Sequence, residues 1–179
     1  MDIVSHGLWG SLAFGRRNRR SFWLAFLAGI GSDLLSFGPF FALAFLGLAE
    51  RPRFTAEPPD PALIPAYVHQ LYQVTHSLII FFVLFFILWL ILRRLPWEFS
   101  AWGLHILVDI PTHSYRFFPT PFLWPVSEFK FDGWHWGSPW IFFPNVALLA
   151  ALYLWWLLRR RPSDGKSFPQ GLDRKPAGD

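Results

Sequence analysis

The sequence predicts an all-α fold: an integral membrane helical bundle of four to five transmembrane or re-entrant helices. Three observations carry that expectation. The chain's 179 residues are 53% hydrophobic and 20% aromatic, with a positive mean hydropathy. The apolar residues come in long runs rather than amphipathic stripes, and clusters of arginine punctuate those runs. Since a crossing uses roughly 20 residues, a chain of this length makes one bundle and leaves no room for a separate soluble domain. The expected organisation is a single membrane-embedded domain over 1–161. A tail at 162–179, too rich in Pro, Gly, Asp and Lys to pack, is expected to be disordered and cytoplasmic.

The apolar segments run from Ile3 to Gly15, Phe22 to Leu48, Tyr67 to Leu92, Trp97 to Ile110 and Trp140 to Leu158. Arg16 to Arg20, Arg93-Arg94 and Arg159 to Arg161 fall between or after them. Placing the first cluster in the cytoplasm satisfies the positive-inside rule and makes every crossing alternate. The N-terminus then lies outside and the C-terminus inside a bacterial cytoplasmic membrane. The first apolar stretch precedes its basic cluster, the reverse of a secretory signal peptide, so it is expected to be retained.

Two segments depart from a simple span. The first has about 13 residues, roughly 20 Å of helix, which suits a re-entrant or partly inserted element. The second carries Asp33 and then Ser36-Phe37-Gly38-Pro39, where a Gly-Pro pair predicts a break or kink. In the fourth, Pro111 is expected to end the helix. The loop at 114–139 holds Tyr115, Phe117, Phe118, Phe122, Trp124, Phe129, Phe131, Trp134 and Trp136. It reads as a set of aromatic anchors at the outer interface, or as a lid over a site that accepts lipid.

The chemistry lies in the polar residues inside the apolar runs. His105 and Asp109 stand four apart, on one face of a helix, and ionisable groups in hydrocarbon are costly unless partnered. Counting from the nearest arginine at about 1.5 Å per residue puts His6 about 15 Å up, Asp33 about 20 Å, His76 about 26 Å, and His105 and Asp109 about 16 and 22 Å. Four segments thus bring ionisable groups to one layer in the outer half of a roughly 30 Å core. The neighbouring runs Leu78 to Leu92 and Ile141 to Leu157 carry almost no polar side chain.

Three histidines and two aspartates are suitable ligands for a divalent cation, zinc above all and manganese as the alternative. The chain has no cysteine, so thiolate sites and disulfides are excluded. Asp2, four residues before His6, is placed to orient that ring from behind. His69, His113 and His135 are possible additional ligands or substrate-facing groups. Small residues at Gly7 and Gly10, Ser11 and Gly15, and Ala25 and Gly29 make faces that let helices approach closely and would turn Asp33 inward. The other reading of Asp33 is a hydrogen-bond partner in plain helix packing.

At these residues the chain resembles the small bacterial inner-membrane proteins known as membrane-bound metal-dependent hydrolases. The resemblance rests on Ser5-His6-Gly7, Gly31-Ser32-Asp33-Leu34-Leu35, Thr75-His76-Ser77, and His105 to Asp109 followed by Thr112 and Phe122-Leu123-Trp124-Pro125. It implies a metal site built from His6, Asp33, His76, His105 and Asp109, with a distant similarity to zinc-dependent phospholipases C. The family commonly has Pro-Asp-x-Asp where this chain has Ser32-Asp33-Leu34-Leu35, so one carboxylate is missing. It often has His-Arg-Gly before the Thr-His-Ser, where this chain has Leu71-Tyr72-Gln73. Both departures weigh against a two-metal site more than a one-metal site.

The functional expectation is a metal-dependent hydrolase acting on an ester or phosphoester of a lipid or lipid-linked substrate. The metal would activate water, and Asp33 or Asp109, whichever is not a ligand, would be the general base. Membrane lipid is the expected partner, and nucleic acid is not. Two other classes fit the same residues: a metal or proton transporter, which needs polar groups in the cytoplasmic half as well, and a non-catalytic multispan protein whose polar cluster holds the bundle together.

Overall fold

The computed structural model describes residues 1–49 and 60–159; the tail at 162–179 and most of the Pro-rich loop after Arg51 lie outside them. Among the described residues six helices follow one another: α1 (Ile3–Phe14), α2 (Arg19–Phe45), α3 (Ala66–Thr75), α4 (Leu78–Leu92), α5 (Ser100–Thr112) and α6 (Pro139–Arg159). Short 3₁₀ turns at Pro61–Leu63 and Trp97–Phe99 precede α3 and α5, and no strand occurs among the described residues. Three starts are capped by side chains that accept a backbone N–H: Asp2 from Ser5, Asn18 from Ser21 and Ser77 from Ile80. Each cap satisfies one of the donors that a helix end leaves unpaired.

Two helices, α2 and α6, are long and apolar enough to cross a membrane, and α3 with α4 makes a third if the bent pair is one span. At 12 and 13 residues, α1 and α5 are shorter than a roughly 30 Å hydrocarbon core requires. Large apolar side chains cover the outer faces, Phe82 and Ile91 on α4 and Phe143 and Leu158 on α6 among them. Such a surface suits hydrocarbon, not water.

The Gly38-Pro39 break expected in the second segment does not occur, because α2 runs unbroken through Pro39. Proline removes one N–H and crowds the carbonyl four residues back, a local loss that a helix of 27 residues absorbs. The break falls in the third segment instead, where α3 and α4 meet at 57° across His76 and Ser77. There the hydroxyls compete with the helix backbone: Thr75 Oγ1 donates to the Leu71 carbonyl at 2.9 Å, and Ser77 turns extended to cap α4. Pro111 also fails to stop its helix at once, and α5 continues to Thr112, whose hydroxyl donates to the Val108 carbonyl at 2.9 Å.

One end of the bundle gathers basic residues. Ser21 Oγ, at the start of α2, donates to Glu98 Oε1 at 2.7 Å in the turn before α5. Partial burial works to raise the Glu98 carboxyl, but the Ser21 hydroxyl, the backbone and the nearby Arg94 and Arg17 outweigh it and hold the group below the usual range. Its contribution to stability is therefore present above the unfolded carboxyl's pKa and is lost as pH falls through the folded one.

The helices pack most closely where α1 crosses α2. A Cβ on Gly29 would stand 2.6 Å from the His6 carbonyl oxygen and 3.2 Å from Gly7 Cα, and one on Gly10 would stand 2.9 Å from the Ala25 carbonyl oxygen. Backbone thus meets backbone, the contact expected of small-residue faces. By contrast, α6 stands apart. It is held to α1 by polar bonds, with Trp9 Nε1 donating to Asn145 Oδ1 at 2.8 Å, Asn145 Nδ2 donating to Ser5 Oγ at 2.8 Å, and Tyr153 Oη donating to the Leu8 carbonyl at 2.9 Å.

Gly29→Ala is expected to lower the melting temperature of the detergent-solubilised protein, with a loss of about 1–3 kcal/mol from overpacking. Gly31→Ala and Gly38→Ala, whose added methyl groups meet nothing within 4 Å, are expected to be neutral or to stabilise by up to about 1 kcal/mol through helix propensity. Equal destabilisation by all three would contradict the close-contact role of Gly29.

Candidate metal centre

Five residues from four elements meet inside the bundle. His6 comes from α1, Asp33 from α2, His76 from the α3–α4 junction, and His105 and Asp109 from successive turns of α5. His6, His76, His105 and Asp109 are no more than 2% exposed, and the Asp33 side chain is 18% exposed. Depth counting along straight helices set His76 about a third of the bilayer above His105. The two rings nevertheless meet, with their Nε2 atoms 3.1 Å apart.

His105 anchors the arrangement. Its Nδ1 lies 2.7 Å from the Gly29 carbonyl; a carbonyl only accepts, so Nδ1 carries the hydrogen and, in the neutral ring, Nε2 presents a lone pair. His76 is set the same way. The Thr75 hydroxyl gives its hydrogen to Leu71 and accepts from His76 Nδ1 at 3.0 Å. The Tyr72 ring stacks on the His76 imidazole at 3.7 Å, and Trp102 Nε1 donates to the Thr75 carbonyl at 2.7 Å. Both Nδ1 atoms are thus committed, and the two Nε2 atoms face each other at 3.1 Å. Two bare lone pairs at that distance repel, so a cation, metal or proton, belongs between them.

The carboxylates stand around this pair. Asp109 Oδ2 is 3.0 Å from His105 Nε2 and 3.7 Å from His76 Nε2. Asp33 Oδ1 is 3.4 Å from His76 Nε2 and 3.9 Å from His105 Nε2. Ligands about 2.0–2.1 Å from one tetrahedral ion lie about 3.3 Å apart, and these separations bracket that value. Two three-residue groups, His6-His105-Asp109 and Asp33-His76-His105, each have their ligand atoms close enough to share an ion.

The far oxygen of Asp109 has its own neighbours. His6 Nε2 lies 2.9 Å from Oδ1, His113 Nδ1 3.3 Å and the Met1 amino group 2.6 Å. His6 Nε2 and His113 Nδ1 are buried, and neither makes an aligned hydrogen bond. Orphaned buried nitrogens are uncommon in folded proteins and mark places where a further group binds or protons move. The donor set therefore fits a divalent cation.

The remaining sequence candidates divide. His113 reaches the cluster from the end of α5 through Asp109. His69 does not: its Nε2 donates to the Pro61 carbonyl at 3.1 Å and its ring stacks on Phe118 at 4.6 Å. His135 sits in the 114–139 loop against Trp136, outside both groups. Asp2, expected to orient His6, is occupied elsewhere, since its two oxygens accept from the Ser5 N–H and the Ser5 hydroxyl. A carboxylate at a helix N-cap is drawn to the unpaired donors of the first turn, which lie closer than a ring one turn on.

Sequence reasoning missed four supporting groups: the Gly29 carbonyl, Thr75 Oγ1, Tyr72 and Asn145. Only Thr75 carried a signal, as a hydroxyl next to a histidine in an apolar run. Over the site, the 114–139 loop is pinned at both ends. Leu78 N–H donates to the Phe122 carbonyl, Ser77 Oγ to the Trp124 carbonyl, and the Gly133 and Trp134 N–H groups to the His113 and Pro111 carbonyls. Gly133 is required there, because a Cβ would stand 2.3 Å from the Pro111 oxygen. Between the pins, Val126, Phe129 and Phe131 are exposed. Phe118 holds a left-handed backbone at φ 48°, an arrangement costing about 1–3 kcal/mol in a bulky residue. Its carbonyl accepts from Tyr72 Oη at 2.9 Å.

Searches against protein-family models, curated proteins and solved structures gave no match for this chain. The class that fold and cluster define is therefore an all-helical protein with two to three candidate membrane spans and a buried His/Asp cluster suited to a cation.

Tyr72→Phe keeps the ring over His76 but leaves the Phe118 carbonyl without its donor. The expected loss is about 1–3 kcal/mol of stability with unchanged helical circular dichroism; no loss would mean that the bond does not restrain Phe118.

Proposed function

We propose that this chain is a membrane-bound metal-dependent hydrolase, acting on an ester or phosphoester of a lipid or lipid-linked substrate. The observation that carries the proposal is the facing pair of Nε2 atoms, 3.1 Å apart with both Nδ1 atoms committed, between two carboxylates. Zinc suits imidazole and carboxylate ligands best, and manganese accepts them too. A divalent ion held there supplies Lewis acidity, lowering the pKa of water and polarising the scissile group.

The chain's own residues supply the rest. Asp33 alone among the five is exposed to an appreciable extent, which suits it to meet a water entering the site. Its carboxylate takes one proton as the water oxygen bonds to the acyl carbon or phosphorus. The bond to the leaving oxygen then breaks, and that oxygen receives the proton. Gly29 and Thr75 keep the imidazoles fixed so that no reorganisation is needed at the moment of reaction.

The lipid substrate is supported by position. The cluster lies within apolar helices, beneath a loop whose exposed aromatic residues suit the headgroup layer. In this reading α1 and α5 insert as partial spans beside α2, α6 and the bent α3–α4 pair, giving five membrane-embedded elements. With the arginines of one end facing the cytoplasm, the protein is a multipass protein of the bacterial inner membrane with its C-terminus inside. A second reading is favoured by one observation, that the clustered side chains also tie four elements together. They would then be a structural core sharing a proton in place of the metal.

Metal content of the detergent-purified protein separates the two readings. Zinc or manganese is expected in stoichiometric amount, with ester or phosphoester turnover that a chelator stops. A wild-type protein that is metal-free and takes up no added zinc or manganese would overturn the hydrolase.

A further inference from the structure

The five residues do not stand equally towards an ion, and their geometry divides them. The argument rests on the metal-dependent reading above. Any ion shared with His105 must use its Nε2, because Nδ1 is held by the Gly29 carbonyl. The His6-His105-Asp109 and Asp33-His76-His105 groups both depend on that one atom. An imidazole nitrogen has one lone pair in the ring plane, so the two groups cannot be filled at once. The chain therefore holds one ion through His105, not two.

Ring orientation shows where it lies. His76 and His105 meet edge to face, at 64° between planes with centroids 5.0 Å apart, so their Nε2 atoms converge to 3.1 Å. His6 instead lies nearly flat on His105, at 26° and 3.6 Å between centroids. Stacked rings present lone pairs that run side by side, not towards one point. The carboxylate oxygen nearest the converging pair is Asp109 Oδ2, at 3.0 and 3.7 Å, against 3.4 and 3.9 Å for Asp33 Oδ1.

We infer that the metal centre is mononuclear, with His76 Nε2, His105 Nε2 and Asp109 Oδ2 as its protein ligands, and that His6 and Asp33 are not ligands. Three protein ligands leave a fourth position open, as catalytic zinc sites require. Asp33, half-buried beside His76, faces that open side as the proton acceptor. His6 stands behind Asp109: with His113 and the Met1 amino group it lies against Oδ1, the oxygen turned away from the ion.

Zinc bound per chain, measured by mass spectrometry of the full-length protein equilibrated with a zinc buffer, tests the division. Wild type is expected to hold one zinc. His6→Gln and Asp33→Asn are expected to hold one as well, with affinity lowered by no more than about 100-fold, the range for outer partners of a ligand. His76→Gln, His105→Gln and Asp109→Asn are expected to hold none at the same free zinc. Helical circular dichroism and melting temperature identify any variant that fails to fold. For such a position, the Co²⁺ absorption bands of the folded His6→Gln and Asp33→Asn proteins serve instead, and are expected to match wild type. Two zinc ions per wild-type chain, complete loss in His6→Gln or Asp33→Asn, or retention in His76→Gln would overturn the assignment and leave the hydrolase standing. A wild-type protein that takes up no metal would overturn both.

Discussion

The contact on which the centre depends is the one between the Gly29 carbonyl and His105 Nδ1, 2.7 Å long and fully buried. In a helix interior that carbonyl would ordinarily serve only its own backbone. Here the missing side chain lets α1 lie against α2, and the carbonyl of the same residue receives a ring arriving from α5. One residue therefore sets the approach of three helices and the tautomer of the central imidazole. Buried polar groups need partners, and this bond settles which partner each nitrogen takes. The Nε2 side of the ring is left for chemistry.

From that point outward the cluster is layered. His76 meets His105 from the junction where α3 and α4 bend, at Thr75-His76-Ser77, where two hydroxyls bond locally. Asp109 then works with both oxygens, one towards the paired imidazoles and one towards His6 and His113. Asp33 closes the fourth side while staying partly exposed.

Much of this was legible in the sequence. Ionisable residues in apolar runs are costly enough that their presence at one depth already implied convergence, and His6, Asp33, His76, His105 and Asp109 do converge. The small residues Gly7, Gly10, Ala25 and Gly29 announced the close helix faces. What stayed hidden depends on backbone direction rather than residue type. No pattern distinguished the Gly29 carbonyl from its neighbours, and the bend at His76 was masked by an apolar run that reads as one span. Gly38-Pro39 carried a strong breaker signal yet leaves α2 unbroken. Asp2 was assigned to a ring one turn away when the helix start beside it made the stronger claim. Asn145, the tie between α6 and α1, sits between Trp9 and Ser5, partners that nothing in its apolar run points to.

The central claim is that a metal ion belongs between His76 and His105. X-ray absorption at the zinc edge of the loaded protein addresses it directly. The expected spectrum has a first shell of nitrogen and oxygen at about 2.0–2.1 Å, with outer-shell scattering from two imidazoles. A single-imidazole or imidazole-free spectrum would contradict it, as would a protein that binds no zinc to measure.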